Sequence, residues 1–514
     1  MKNNFVKILS SILLVSVIGV GCSKSDFNIN RNPNDPTDST ITYNLLLASS
    51  LQTSANNVAN NWGWLQNWLS FWSRSGTYAP NVTEETYNIT TTFQNGVWNS
   101  FYYEAFNYNI MQLKAQQAGA TFYEGVARIM KAHAFQNLVD VYGNVPYFNA
   151  LKGNQNPTPE YDNGLDIYKD LFRQIDTAFT LFDALNEDLN VDYKTNDLVY
   201  AGNVESWKKL GNTLKLRMLV HLADVPGFDF DSEIAKIDES GAGYLATGES
   251  ATIQPGFGST KPTPFYNNYV KDNTGTATAN SVYYKANSYA VDYYKYDGDP
   301  RLTRFYTPGS QGSRGVAYGL PPVTSNAAST LSAVSGPGVL SSGSTSKAWI
   351  LTSMESLFLQ AEARERGIIK SGETAEQLLV NAVTESFIWM GLTAEDADEY
   401  LSGNATYPDV DYTAEGGGLF TIISQKWFAL NTFASLEVWS DYRRVDLDGE
   451  NHFVYGARVD YDPGPAISVA PQNTATEIPI RLLYPQNEYN YNAQNVGNEG
   501  TINQFSSKIF WDIN

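Results

Sequence analysis

The chain has 514 residues, a formal net charge of −20 at pH 7 and an aromatic content of 13%. This acidity argues against a nucleic-acid partner, because phosphates would be repelled by the surface. The single cysteine excludes an internal disulfide, and three histidines argue against a histidine-rich metal site. Since 42% of the residues are apolar, the composition predicts an acidic globular protein with a substantial core.

The first 21 residues have the pattern of a bacterial signal peptide. A basic start precedes an apolar run over residues 8–20, which is too short to span a bilayer as a helix. Cys22 follows this run directly after a small residue, as in a lipobox, although Gly19 stands where Leu is usual. We therefore expect residues 1–21 to be removed and Cys22 to carry lipid. The alternative is a buried cysteine that falls at this place by chance.

The remaining chain predicts a stalk followed by one helical domain. Residues 22–38 contain the lipidated cysteine and a polar, Pro/Asn/Asp-rich stretch typical of a flexible stalk. Beyond it, apolar residues recur every three to four positions, which indicates helices. These stripes lie at residues 126–141, 165–182, 207–222, 350–367, 374–390 and 418–440. The sequence thus predicts a mainly α fold over residues 39–514.

One long segment of this domain differs from the rest. Residues 241–346 are rich in Gly, Pro, Ser and Thr, with a helical signal only around 281–296. A loop-rich insertion of this length within a helical body usually has a function. We therefore expect this insertion to serve a function.

Standard catalytic motifs do not occur in the sequence. It lacks a G-x-x-x-x-G-K-[ST] phosphate loop, an H-E-x-x-H zinc motif and a G-x-S-x-G nucleophile elbow. A glycosidase pair among the 54 carboxylates stays open, because nothing marks any two of them. We expect no catalytic residue, no metal and no cofactor.

Aromatic residues supply the candidate binding site. Trp64, Trp68 and Trp72 are four apart, which predicts one helical face that usually packs into a core. The chain after Trp72 leaves this predicted helix for a loop, where a ring beside an arginine and hydroxyls could hold a sugar ring or a peptide side chain. The candidate ligand-binding residues are Trp72, Arg74, Tyr78, Tyr266, Tyr283 and Tyr284. The alternative for all of them is simple core packing.

Several segments carry a recognisable set of motifs, in order from end to end. Residues 127–151 end in a D-x-Y-G-x-V-P-Y turn, and residues 284–306 contain D-P-R-L. Residues 422–444 carry Q-K-W and E-x-W-x-[DE]-x-R-R patterns, and residues 478–496 carry R-x-x-Y-P-x-x-E. In this order the segments resemble the SusD/RagB family, in its SusD-like branch of starch-binding-associated outer-membrane lipoproteins. These are scaffold motifs, so the resemblance transfers no ligand-binding residue to this chain.

The resemblance implies tetratricopeptide-like helix pairs with long loop insertions that hold the ligand site. It implies attachment to the outer membrane through Cys22, exposure at the cell surface, and a SusC-type TonB-dependent transporter as partner. The expected function is that of a non-enzymatic nutrient-binding lipoprotein that captures an oligosaccharide and closes over the transporter as a lid. An oligopeptide ligand, a glycoside hydrolase and a purely structural transporter subunit remain alternatives.

Overall fold

The computed structural model describes residues 42–447 and 464–513. The expected signal peptide, Cys22 and the stalk lie outside these residues, so all three stay predictions. Of the described residues, those from Tyr43 onward belong to one compact unit.

Helices dominate the described residues, which confirms the mainly α prediction. In chain order they are α1 (Tyr43–Asn60), α2 (Gly63–Trp68), α3 (Val82–Glu85), α4 (Asn95–Ala118), α5 (Thr121–Tyr142), α6 (Gly164–Asp183), α7 (Tyr193–Asn196), α8 (Val204–His221), α9 (Phe230–Glu239), α10 (Pro264–Tyr269), α11 (Ala279–Tyr283), α12 (Ser288–Tyr296), α13 (Leu302–Phe305), α14 (Ser353–Glu365), α15 (Ala375–Trp389), α16 (Ala394–Gly403), α17 (Leu419–Leu430), α18 (Ser435–Arg444), α19 (Gln486–Tyr491) and α20 (Ala493–Asn498).

Neighbouring long helices pack as antiparallel pairs. Tyr102, near the start of α4, donates a hydrogen bond to the carbonyl of Pro146, just after the end of α5. Gln112, further along α4, accepts from Lys131 in the middle of α5. The two helices therefore run in opposite directions. The helices α5 and α6 pack in the same way along the chain, as do α14 and α15. This is the tetratricopeptide-like arrangement expected from the sequence.

Local sequence signals fix several helix ends. The Asn163 side chain accepts the backbone N–H of Leu165 at 3.0 Å and begins α6, as an Asn cap should. Thr374 and Gln377 form a reciprocal capping box at the start of α15. Gly143 ends α5 with a φ of 78°, a conformation that glycine adopts without steric cost.

In the part of the chain that the structure describes, four short strands join distant segments. Strand β1 (Trp72–Arg74) pairs antiparallel with β3 (Tyr284–Ala286), and β2 (Ala251–Ile253) pairs with β4 (Ala348–Leu351). The prediction of one helical face for Trp64, Trp68 and Trp72 is wrong for Trp72. The helix α2 ends at Trp68, and Ser70 adopts a left-handed φ of 64°, which turns the chain into β1.

The loop-rich insertion contains more helix than its sequence indicates. The signal around 281–296 corresponds to α11 and α12, but α10 and α13 were not predicted. These two helices have six and four residues, less than two turns each, so they carry no readable periodicity.

A buried ion network (Glu362, Lys426, Glu437, Asp441 and Arg444) lies among α14, α17 and α18. Lys426 Nζ is 2.7 Å from Glu437 Oε1 and 3.1 Å from Asp441 Oδ1, and Arg444 contacts Glu362 through two bonds of 2.5 and 2.6 Å. Burial raises the pKa of Asp441 to about 6 against the opposing effect of Lys426 and Arg444. For Glu362 burial acts in the same direction, but the pairing with Arg444 outweighs it and holds the pKa at about 2.

The network extends to α8 and α5 through His221. Its Nε2 lies 2.9 Å from Glu437 Oε2, and its ring packs 5.2 Å from that of Trp511 near the C-terminus. Trp511 in turn donates its indole N–H to Asp140 at 3.0 Å and lies against the guanidinium of Arg443 at 4.6 Å. Residues from widely separated parts of the sequence therefore complete one polar centre.

Candidate functional site

The structure assembles an aromatic cluster (Trp72, Tyr78, Tyr269, Tyr283 and Tyr284) where the insertion meets the chain after α2. Ring centroids lie 5.2 Å apart for Tyr78 and Tyr283, and 4.9 Å apart for Tyr283 and Tyr284. Tyr284 lies 5.4 Å from Trp72 and 5.7 Å from Tyr269. Four of the six residues predicted for the site, separated by up to 212 positions, thus belong to one continuous set of rings.

Backbone pairing holds these rings in place. Arg74 of β1 lies opposite Tyr284 of β3, and the Ser75 N–H donates to the Tyr283 carbonyl at 2.7 Å. Gly63 of α2 allows close approach, because a Cβ there would lie 2.9 Å from the Tyr284 hydroxyl. The cluster therefore rests on hydrogen-bonded backbone although most of its surroundings are loops.

The rings differ in their access to solvent. Tyr78, Tyr283 and Tyr284 are half-buried, whereas Trp72 is only 1% exposed. The sequence predicted an accessible ring at Trp72, and the structure instead buries its indole, which packs against Tyr284. Burial, with a smaller effect of Glu84 and Glu85, raises the pKa of Tyr283, so its hydroxyl is protonated at neutral pH and can donate a hydrogen bond.

Arg74 is also buried, and its guanidinium contacts protein groups. Its Nε lies 2.6 Å from Glu85 Oε1, and its two terminal nitrogens donate to the carbonyls of Tyr78 and Leu320 at 2.7 and 2.9 Å. Arg74 therefore positions the loop that carries Tyr78. The sequence identified this residue from its neighbours but could not show that its charge is already paired.

Tyr266 lies on α10, one turn before Tyr269. It is half-buried, and Tyr269 rather than Tyr266 makes the ring contacts with Trp72 and Tyr284. The polar link between α10, α11 and α1 runs through Asn268, which accepts from Asn280 at 2.8 Å and donates to Asn60 at 3.2 Å. The i, i+3 spacing from Tyr266 was the signal that could have identified Tyr269.

A cavity of about 150 Å³ lies beside Tyr78. Three segments of the chain provide its apolar walls, which consist of Pro80, Val82, Pro321, Ala470 and Pro471. Thr86 and Gln472 provide polar groups at its edge. Because Arg74 bonds both to the Tyr78 carbonyl and to the loop at Leu320, the cavity and the aromatic cluster share one support.

The two carboxylates nearest the cluster are occupied by protein donors. Glu84 is 3% exposed and accepts from Asn67 at 2.6 Å and Tyr318 at 3.1 Å, while Glu85 is 1% exposed and pairs with Arg74. Burial raises the pKa of Glu84. A glycosidase needs two carboxyl groups on opposite sides of a bound sugar, and these two are adjacent in sequence and packed into the protein.

Metal and membrane features were searched over residues 42–447 and 464–513. In that part of the chain no group of three or more His, Cys, Asp or Glu side chains is placed to hold a metal ion. Within the same residues, no helix combines the length and the apolar character needed to cross a bilayer.

Solved structures share this helical fold over nearly its whole length. A chitin-binding SusD homolog from Flavobacterium johnsoniae matches with a TM-score of 0.71 and 20% identity, covering 91% of this chain and 99% of that one. A SusD-like protein from Bacteroides thetaiotaomicron matches with a TM-score of 0.67 and 21% identity, covering 88% and 95% of the two chains. A comparison with curated protein sequences finds no match.

The class is therefore that of SusD-like helical proteins. The model of the SusD-like_2 family, described as "Starch-binding associating with outer membrane", matches residues 33–485. The chain belongs to this family, which confirms the resemblance seen in the sequence.

Proposed function

We propose that this protein is a cell-surface lipoprotein that captures an oligosaccharide at its aromatic cluster and delivers it to a SusC-type TonB-dependent transporter. The observation that carries the proposal is the run of three half-buried rings, Tyr78, Tyr283 and Tyr284, fixed by the β1–β3 pair. Flat rings with hydroxyl groups suit sugars, which present apolar faces and polar edges.

Capture without turnover fits the chemistry around the cluster. The nearby carboxylates are paired or buried, so the residues that remain for a ligand are rings, hydroxyls and backbone groups. A SusD homolog of the same fold is described as chitin-binding, and this supports a glycan over an oligopeptide. In the proposed cycle Cys22 carries the lipid anchor, residues 23–38 act as the tether, and the helical domain closes over the transporter as a lid.

Calorimetry with hexasaccharides and hexapeptides tests the ligand class. We expect heat from at least one hexasaccharide and a loss of affinity of about tenfold in Tyr283→Ala, because about 1.4 kcal/mol of ring contact is removed. Tyr491→Ala is the matched control, since Tyr491 is 77% exposed and lies on α19 outside the cluster. Binding heat from peptides alone would favour the oligopeptide alternative. No binding heat from either panel would favour a structural transporter subunit.

Three further measurements test the remaining parts of the proposal. Chromatography should recover the bound oligosaccharide unchanged, and shortened products would support a glycoside hydrolase. Cys22→Ala should abolish acylation and membrane retention. If the amount of that variant in the membrane fraction were unchanged, the lipid anchor would be contradicted. Co-purification with the barrel transporter tests the partner directly.

A further inference from the structure

The cavity beside Tyr78 is joined to the aromatic cluster by a short, braced segment. Pro80 lines the cavity two residues after Tyr78, and Arg74 donates to the carbonyls of both Tyr78 and Leu320. The half-buried rings of Tyr78 and Tyr283 and the cavity therefore belong to one braced region, which a single extended ligand can contact.

The cavity walls select for an apolar group. Pro80, Val82, Pro321 and Pro471 are exposed residues that surround its opening, and Ala470 is buried behind them. A sugar hydroxyl against these walls would lose its hydrogen bonds to water without replacement, whereas a methyl group would gain from burial.

The cavity edge selects for an uncharged polar group beside that methyl. The exposed Gln472 side chain carries both an amide N–H and a carbonyl. Thr86 also lines the cavity, but its hydroxyl donates to the Val82 carbonyl at 2.7 Å, so it can only accept from a ligand. Glu85 is the only ionisable residue among the lining residues that the structure describes, and Arg74 already pairs with it at 2.6 Å. An ammonium group would thus find no unpaired carboxylate here.

The volume fits a group of this kind. The cavity's volume of about 150 Å³ is enough for a benzene-sized molecule, which is larger than an acetamido group, and its opening lets such a group enter from solvent. A methyl end, an amide and no charge together describe the N-acetyl group of an amino sugar.

Building on the proposed function, we infer that this cavity is a specificity subsite for the acetamido group of an N-acetylated oligosaccharide bound at the aromatic cluster. Its methyl packs on Pro80, Val82 and Pro471, and its amide meets Gln472. The cluster supplies affinity for the sugar rings, and the cavity distinguishes acetylated from non-acetylated chains.

The test compares three hexamers on the same protein: those of N-acetylglucosamine, glucosamine and glucose. The wild-type protein should bind the N-acetylated hexamer at least about tenfold tighter than the other two, the discrimination that a single well-fitted apolar group provides. Val82→Phe should fill the cavity and reduce this preference to about onefold to twofold, while the affinity for the glucose hexamer stays within about twofold.

Val380→Phe is the control, because Val380 is a similarly exposed valine on α15, outside the cavity lining. Thermal unfolding of each variant verifies that the fold is intact. Equal wild-type affinity for acetylated and non-acetylated hexamers would overturn the subsite, as would an equal loss for both in Val82→Phe. Neither of these two results would contradict glycan binding itself. Binding of no hexamer, by contrast, would overturn the proposed function and this inference together.

Discussion

The ion network and the aromatic cluster differ in how completely their side chains are buried and paired within the protein. In the network, Lys426 contacts Glu437 and Asp441, and each of these groups is at most 4% exposed. In the cluster, Tyr78 and Tyr283 contact each other and still present part of their surface to solvent. Groups whose interactions are already satisfied within the protein stabilise it, and partly exposed groups remain for a ligand. Stability and binding should therefore respond to different substitutions.

Lys426→Met should have the largest effect on stability. Its removal takes away the cation that Glu437 and Asp441 share and leaves these buried carboxylates with His221 and Arg444 alone, which costs about 4 kcal/mol of unfolding free energy. Lys370→Met is the matched control, since that lysine pairs with Asp231 on the surface and should cost less than about 1 kcal/mol. Urea denaturation measures both. Equal losses would mean that the network behaves like a surface ion pair.

Arg74→Met tests whether the two regions are as separate as their exposure indicates. Arg74 belongs to the site region, yet it is buried and paired like a network residue, so about 3 kcal/mol should be lost together with ligand affinity. Arg173→Met removes an exposed guanidinium from its pair with the half-buried Asp170, so it should cost less than about 1 kcal/mol and leave ligand affinity unchanged. Full stability with reduced affinity would instead assign Arg74 a direct ligand contact.

Acid should weaken the network through Glu362. Its pKa of about 2 lies below the ordinary value of 4.5, so its contribution is complete above pH 4.5 and is lost as the pH falls from 4.5 through 2. The difference in unfolding free energy between wild type and Glu362→Gln should shrink across that window. A difference that stays constant from pH 5 to pH 2 would contradict the assigned pairing with Arg444.

Tyr283→Phe should produce the smallest change, and it should separate the effect on ligand affinity from the effect on stability most clearly. It keeps the ring and removes one hydroxyl, so affinity for a bound oligosaccharide should fall by about twofold to tenfold, the value of one hydrogen bond. Unfolding free energy should stay within about 0.5 kcal/mol of wild type. A larger loss of stability than of affinity would place this tyrosine in the core.

The helices were predictable because local rules govern them. Stripes such as residues 165–182 correspond to α6, and its beginning after Asn163 follows from capping chemistry. Trp72 was misplaced because the left-handed Ser70 interrupts a spacing that otherwise reads as helix. Nothing in the residue types on either side indicates that turn.

The sequence named rings of the candidate site but could not predict how they are arranged. The sequence identified Tyr78, Tyr283 and Tyr284 as candidates, yet their contact depends on the pairing of β1 with β3, across about 200 residues of chain. The burial of Arg74 depends on the same pairing and on Glu85. The ion network is still harder to predict from sequence, because Lys426 and Glu437 have the pattern of ordinary charges on a helix surface.

Trp511 has a consequence for how the chain folds. Its contacts with Asp140, His221 and Arg443 join residues separated by up to 371 positions, so the polar centre stays open until residue 511 has been synthesised. Contacts of such sequence separation make folding slow, since a large loop must close before they form. A chain interrupted before residue 511 would keep His221 and Arg443 uncovered, and it would remain accessible to proteases while the complete chain becomes resistant.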